Sequence, residues 1–182
     1  MTLAATTDAS VEVLFSADDI AARIAGLCDE IIAQDLRNLL VVPVLTGSFI
    51  FAADLLRGLH AAGIAPEVDF MTLASYRRGT RSSGSVDILR DMELDVTDRD
   101  VLLVDDILDT GRTLAYAKDL VAARGARRLL TCVLLNKPVR RAVAIDADFV
   151  AFECPSDFVV GYGMDLANRY RELPFVGRLT SR

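Results

Sequence analysis

Two rhythms of apolar residues alternate along this chain. Ile20, Ile24, Leu27 and Ile31 recur at three- and four-residue spacing and form one stripe of a helix. Ser16 and Asp19 stand just before that stripe in the arrangement of a capping box, which predicts where the helix starts. Leu39–Leu45 is instead an unbroken aliphatic run, the pattern of a parallel strand buried on both faces. A helix over 48–62 follows it. Further strands are predicted over 68–75, 86–89 and 101–104. A helix over 112–124 turns Leu114, Ala117, Leu120 and Val121 inward, and Gly125 is placed to end it. Strands over 129–135 and 149–153 complete the alternation, which argues for an α/β fold with a mainly parallel sheet. The rest is expected to be irregular. Residues 1–15 read as a polar tail, residues 76–85 as a loop of Arg, Gly, Thr and Ser, and Gly161, Gly163 and Pro174 break the C-terminal region.

Size and composition narrow the class. The chain has 182 residues, 52% apolar and 25% charged, which fits one compact domain and excludes a disordered or low-complexity protein. No repeat or linker divides residues 1–182. A net charge of −6 makes the chain a poor candidate for a general nucleic-acid coat, which needs a basic face. Positive charge is carried by 18 Arg and only two Lys, Lys118 and Lys137. His60 is the sole histidine, so His-built metal sites and Ser-His-Asp triads have nothing to draw on. Chemistry must fall to carboxylates, arginines and backbone amides. Cys28, Cys132 and Cys154 fit neither a CxxC motif nor a disulfide framework, and read as buried apolar residues in a reducing cytosol. The first 15 residues hold no Lys or Arg, and the longest uncharged stretch, 39–53, is too short to span a bilayer. A cytoplasmic protein without a membrane or nucleic-acid partner is expected.

The most informative segment is Val101-Leu-Leu-Val-Asp-Asp-Ile-Leu-Asp-Thr-Gly-Arg-Thr-Leu114. An apolar strand ends in two adjacent carboxylates, Asp105 and Asp106, and a tight Asp109-Thr110-Gly111 turn leads into a helix. Ligands of open α/β sheets bind at the carboxyl ends of strands. The turn offers backbone N–H groups, the hydroxyls of Thr110 and Thr113 and a helix N-terminus, together an anion cradle that Gly111 lets a phosphate approach. Carboxylates beside an anion cradle suit a sugar phosphate, since they accept from vicinal hydroxyls and can hold Mg²⁺. A solvated acidic turn or the acid pocket of a phosphoacceptor receiver domain would explain the acid pair alone.

The whole string closely resembles the phosphoribosyl pyrophosphate (PRPP) signature of the type I phosphoribosyltransferases. Leu45-Thr46-Gly47-Ser48, Ser75-Tyr76, Lys137 and Asp157-Phe-Val-Val-Gly-Tyr-Gly-Met-Asp165, with Arg171 beyond, resemble the hypoxanthine-guanine subfamily in order and spacing over roughly residues 10–180. The resemblance implies a mainly parallel central sheet flanked by helices, with residues 153–182 contributing to a small base-binding hood. It implies a purine-salvage enzyme, a homodimer or homotetramer, that uses Mg²⁺ to transfer phosphoribosyl from PRPP to hypoxanthine or guanine.

Residue roles follow from the same resemblance. Asp109 matches the general base that handles the proton on purine N7; capping the following helix is its plainer role. Asp105 and Asp106 match the acids on the ribose hydroxyls and the metal, and Asp109, Thr110, Gly111, Arg112 and Thr113 match the 5′-phosphate loop. Thr46 and Gly47 match the pyrophosphate loop, which in the family begins with a non-proline cis peptide, here Leu45–Thr46. Arg171 matches a further pyrophosphate contact. Lys137 falls on the purine 6-oxo group, Phe158 and Val159 on stacking and backbone contacts to the base, and Asp165 on Mg²⁺ or the base's 2-position. The plainer roles are a surface arginine for Arg171, a solvated lysine for Lys137 and core packing for Phe158. Ser75 and Tyr76 open a mobile loop over 76–86. The chain departs from the family in two places: Asp105 stands where Glu is usual, and Thr46 where Lys or Arg is frequent. A regulatory binding module on the same fold is the competing reading.

Overall fold

The computed structural model describes residues 9–75 and 86–181. Its elements are β1 (Ala9–Phe15), α1 (Ala17–Ile32), β2 (Leu40–Leu45), α2 (Phe49–Ala61), β3 (Glu67–Val68), β4 (Met71–Ser75), β5 (Val86–Arg90), β6 (Asp100–Leu108), α3 (Arg112–Ala122), β7 (Arg128–Asn136), β8 (Phe149–Glu153), β9 (Val159–Val160) and β10 (Val176–Ser181). The central sheet runs β5-β4-β2-β6-β7-β8, with β3 also on β2. Every pairing in it is parallel except that of β5 with β4.

The two faces of this sheet explain the unbroken aliphatic runs. Val41, Leu102 and Val104 pack with Ile20, Leu27, Phe51 and Leu55 beneath α1 and α2. Their neighbours Leu40, Val42, Val101 and Leu103 pack with Leu114, Ala117 and Val121 of α3 on the opposite face. A strand with helices on both sides must be apolar at every position. The capping box also forms: Asp19 N–H donates to Ser16 Oγ at 3.2 Å, and Ser16 N–H donates to Asp19 Oδ2 at 3.0 Å. The three cysteines are buried and unpaired.

Four expectations need correction or qualification. The segment read as a tail over 1–15 contains β1, which pairs antiparallel with β10 in a second sheet of order β1-β10-β9. Its alternating Val11-Glu12-Val13 is an ordinary strand signal, and Phe15 stacks on Phe152 with ring centroids 4.2 Å apart. The strand over 68–75 is split at Asp69-Phe70, because the buried Asp69 carboxylate turns aside to accept from the N–H groups of Phe70, Glu93 and Leu94. The strand at 101 continues to Leu108, since its parallel ladder with β7 extends past the acids to Leu108–Asn136. The loop over 76–86 lies outside the described residues, Tyr76 included, except for Val86, which begins β5. Among the described residues no helix is long and apolar enough to cross a membrane.

Candidate active site

The acid pair sits inside the carboxyl end of β6. Asp105 is only 6% exposed, and its Oδ1 accepts from Asp106 N–H at 3.0 Å. Burial, with the neighbouring Asp106 carboxylate, pushes Asp105 well above the ordinary aspartate range. Asp106 is also raised by burial, opposed in part by the Arg171 charge. Two adjacent acids held this way favour a shared proton or a cation over two bare charges.

The loop after β2 closes over this pair. The Leu45–Thr46 peptide is cis. Ser48 is buried and donates from Oγ to Val44 O at 2.6 Å, which fastens the turn at the start of α2. Gly47 lies so close to the acids that a Cβ there would stand 1.8 Å from Asp106 Oδ2. From the other side comes Gly163, whose own Cβ would stand 2.2 Å from Gly47 O. At Gly163 the obstacle is backbone, whereas at Gly47 a Cβ would have to push the Asp106 carboxylate aside.

The turn after β6 gives Asp109 a different setting from a cap. Gly111, at φ +81°, is the N-cap of α3, with no side chain capping the helix. Thr110 O accepts from the N–H groups of Ala142 and Val143 at 2.9 and 3.1 Å, and Arg112 N–H points to Thr110 Oγ1 at 3.4 Å. Thr113 follows in the first helical turn. Asp109 is left with a buried Oδ1 that has no hydrogen-bond partner. An orphaned carboxylate oxygen costs stability unless a ligand proton meets it.

Asp109 faces a cavity of about 260 Å³, whose lining includes Asp106, Lys137, Phe158, Val159 and Asp165. Lys137 is not a solvated lysine: it is 8% exposed, and its Nζ donates to Asp157 O at 2.6 Å. Phe158 is not a core residue, since it remains 56% exposed over the cavity, while Val159 is buried in β9. The cavity is therefore lined by a cationic donor, a carboxylate with one unpartnered oxygen and a free aromatic face. Asp165 forms an ion pair with Arg171 Nη2 at 2.7 Å and accepts from Asn168 N–H at 2.7 Å. Arg171 Nη1 donates to Gly163 O at 2.5 Å. These bonds place Arg171 and Asp165 beside the contact of Gly163 with Gly47.

Among the described residues, no group of three or more His, Cys, Asp and Glu side chains gathers closely enough to hold a metal ion. Asp105 and Asp106 nevertheless fit a hard divalent cation. Their buried, mutually repelling carboxylates want positive charge, and Mg²⁺ commonly takes one or two carboxylates and draws its other ligands from water and substrate phosphates. Ser75 ends β4. Sequence reasoning missed Tyr162, whose hydroxyl donates to Asp54 Oδ2 at 2.6 Å and ties the glycine-flanked turn to α2. The flanking Gly161 and Gly163 were its signal.

Comparison with known proteins agrees with this geometry. A family model described as the phosphoribosyl transferase domain matches residues 10–167. The bifunctional protein TilS/HprT of Listeria innocua is 47% identical over 92% of this chain, which spans 26% of that longer protein. Hypoxanthine phosphoribosyltransferase of Escherichia coli is 41% identical over 93% of this chain and 96% of its own length. A crystal structure of hypoxanthine phosphoribosyltransferase from Staphylococcus aureus superposes with a TM-score of 0.85 at 37% identity, covering 93% of this chain and 91% of that one. With a matching family model, near full-length relatives and the type I architecture in place, the chain belongs to the phosphoribosyltransferase family, in its hypoxanthine-guanine branch.

Proposed function

We propose that this protein transfers the phosphoribosyl group of PRPP to hypoxanthine or guanine, releasing pyrophosphate, as a cytoplasmic enzyme of purine salvage. The observation that carries the reading is the pairing of the Lys137 ammonium and the unpartnered Asp109 carboxylate on one cavity. A 6-oxopurine meets both needs at once: its carbonyl accepts from Lys137, and its imidazole edge gives a proton to Asp109. Phe158 offers its exposed ring for stacking on the base. The turn from Thr110 to Thr113 presents amides and hydroxyls to the 5′-phosphate, and the loop at Thr46-Gly47 with Arg171 receives the pyrophosphate.

Asp105 and Asp106 would hold Mg²⁺ and the ribose hydroxyls. The ion, when bound, offsets charge on the leaving pyrophosphate. Bond breaking at C1 builds positive charge on the sugar, as in glycoside cleavage, and the acids below the ring favour that charge. Asp109 takes up the purine proton as the new C–N bond forms. Thr46 brings no side-chain charge, so the pyrophosphate grip falls to backbone amides and Arg171. The test is direct. Protein, PRPP, Mg²⁺ and hypoxanthine or guanine should yield IMP or GMP with stoichiometric pyrophosphate. Absence of nucleotide with every 6-oxopurine, xanthine included, overturns the proposal.

A further inference from the structure

Lys137 can recognise a base only if its ammonium is aimed, and it is aimed by a neighbour on the cavity wall that is itself tied to residues outside the cavity. Its Nζ is held by the Asp157 carbonyl at 2.6 Å. Asp157 belongs to the irregular segment between β8 and β9, where Pro155 and Ser156 are exposed. A carbonyl there is only as fixed as its neighbours. The Asp157 carboxylate meets Arg178 Nη1 at 3.3 Å. Arg178 in turn donates from Nε and Nη2 to Glu12 Oε2 and Oε1 at 3.0 and 3.1 Å, a two-pronged pair across the β1–β10 ladder. On the other edge of β10, in its ladder with β9, Arg178 stands opposite Val159, and Leu179 N–H reaches Phe158 O at 3.3 Å. One arginine thus joins both ends of the second sheet to the residue that orients the purine-facing lysine.

We infer that Arg178, ordered by Glu12, is a positioning residue for purine recognition, acting through Asp157 on the Lys137 ammonium. The inference rests on the purine reading above and extends it to Arg178 and Glu12, which are not among the residues lining the cavity. Glu12 and Asp157 both raise the proton affinity of Arg178, whose guanidinium is charged in any case. The pairs are partly exposed, with side chains 38% to 52% accessible, so each contributes modestly and is screened by salt. The expected signature is selective rather than large. Among the described residues, the side-chain bonds of Glu12, Arg178 and Asp157 do not reach the Thr110–Thr113 turn or the Thr46-Gly47 loop, so KM for PRPP should change little when Arg178 is lost.

The experiment compares Arg178→Ala, Arg178→Lys and Glu12→Gln with the wild type in steady-state assays, varying hypoxanthine and PRPP separately. Arg178→Ala should raise KM for hypoxanthine about fivefold, the scale of an exposed ion pair in a network, with KM for PRPP unchanged. Arg178→Lys should recover part of the loss, Glu12→Gln should show a smaller one, and high salt should shrink the difference between wild type and Arg178→Ala. Amide exchange over 155–159 should quicken in Arg178→Ala. An unchanged hypoxanthine KM, or equal rises for both substrates, overturns the inference while leaving the proposed reaction intact. A wild type that makes no nucleotide overturns both.

Discussion

Replacing Gly163 with alanine tests how the cleft is assembled, because the contact involved is backbone against backbone. A Cβ at residue 163 would lie 2.2 Å from Gly47 O, with Gly47 C at 3.4 Å and Phe49 Cδ1 at 3.5 Å. Ordinary contact needs about 1 Å more, and a carbonyl cannot rotate away as a flexible side chain could. The residue also sits at φ +99°, which costs a non-glycine residue about 1–3 kcal/mol. Two effects are therefore expected and separable. Backbone strain should lower Tm by about 5 °C. Displacement of the Thr46-Gly47 loop by about 1 Å should cut kcat/KM about a hundredfold, with a rise in KM for PRPP. Gly63→Ala is the control: it has φ +88° but nothing within 4 Å of its Cβ, so it should lose stability and keep activity. Nucleotide formation and thermal melts on the three proteins decide the matter. If Gly163→Ala matches Gly63→Ala in PRPP affinity and turnover, the contact between residues 163 and 47 does not hold the loop.

Three other substitutions probe the acids and the lysine. Asp105 is held above its unfolded value, so the folded state keeps a proton that the unfolded state loses above about pH 4. Its unfavourable contribution is absent below that pH and grows as pH rises toward the folded value, by about 1.4 kcal/mol per unit. Asp105→Asn should therefore be more stable than wild type in urea at pH 7 without Mg²⁺, and flatter between pH 4 and 7, while losing activity; a less stable variant at pH 7 contradicts this. If Asp109 takes the purine proton as proposed, Asp109→Asn should lower kcat about a hundredfold or more while KM for PRPP stays within a few-fold, since Asp109 Oδ1 has no partner and Gly111 is the N-cap of α3; equal losses in both would point to binding alone. Lys137→Met should raise KM for hypoxanthine about tenfold or more through loss of a charged hydrogen bond, and leave KM for PRPP in place, as separate substrate titrations will report.

The sequence made the frame legible because both faces of the sheet leave a trace. Leu39–Leu45 and Val101–Val104 are aliphatic at every position, and only helices above and below a strand require that. The cleft was legible residue by residue where a family motif marked it, as at Asp109, Lys137 and Asp165, which the fold brings to one cavity. What escaped was set by partners far away in the chain. Glu12 and Val13 look like a tail until β10 arrives beside them. Asp69 looks like a strand residue until Glu93 and Leu94 offer their amides. Gly161 and Gly163 mark Tyr162 locally, but nothing near it names its partner, Asp54, 108 positions away.

The second sheet also sets an order on how the molecule can be made. Glu12 and Arg178 are separated by 166 positions, yet they are direct ladder partners. As the chain emerges during synthesis, β1 must wait unpaired while the whole central sheet forms. Closure of so long a loop is entropically cheap to lengthen but slow to achieve, and contacts of this kind form late. The acid pair, the phosphate turn and the loop at Gly47 all precede residue 165. The acids and turns that would grip the sugar phosphate, and Lys137 itself, thus exist before Arg171 and Arg178, which bear on the Gly47 loop and on Asp157, have been made. A chain halted before β10 would carry Lys137 without the Arg178 link to its partner Asp157.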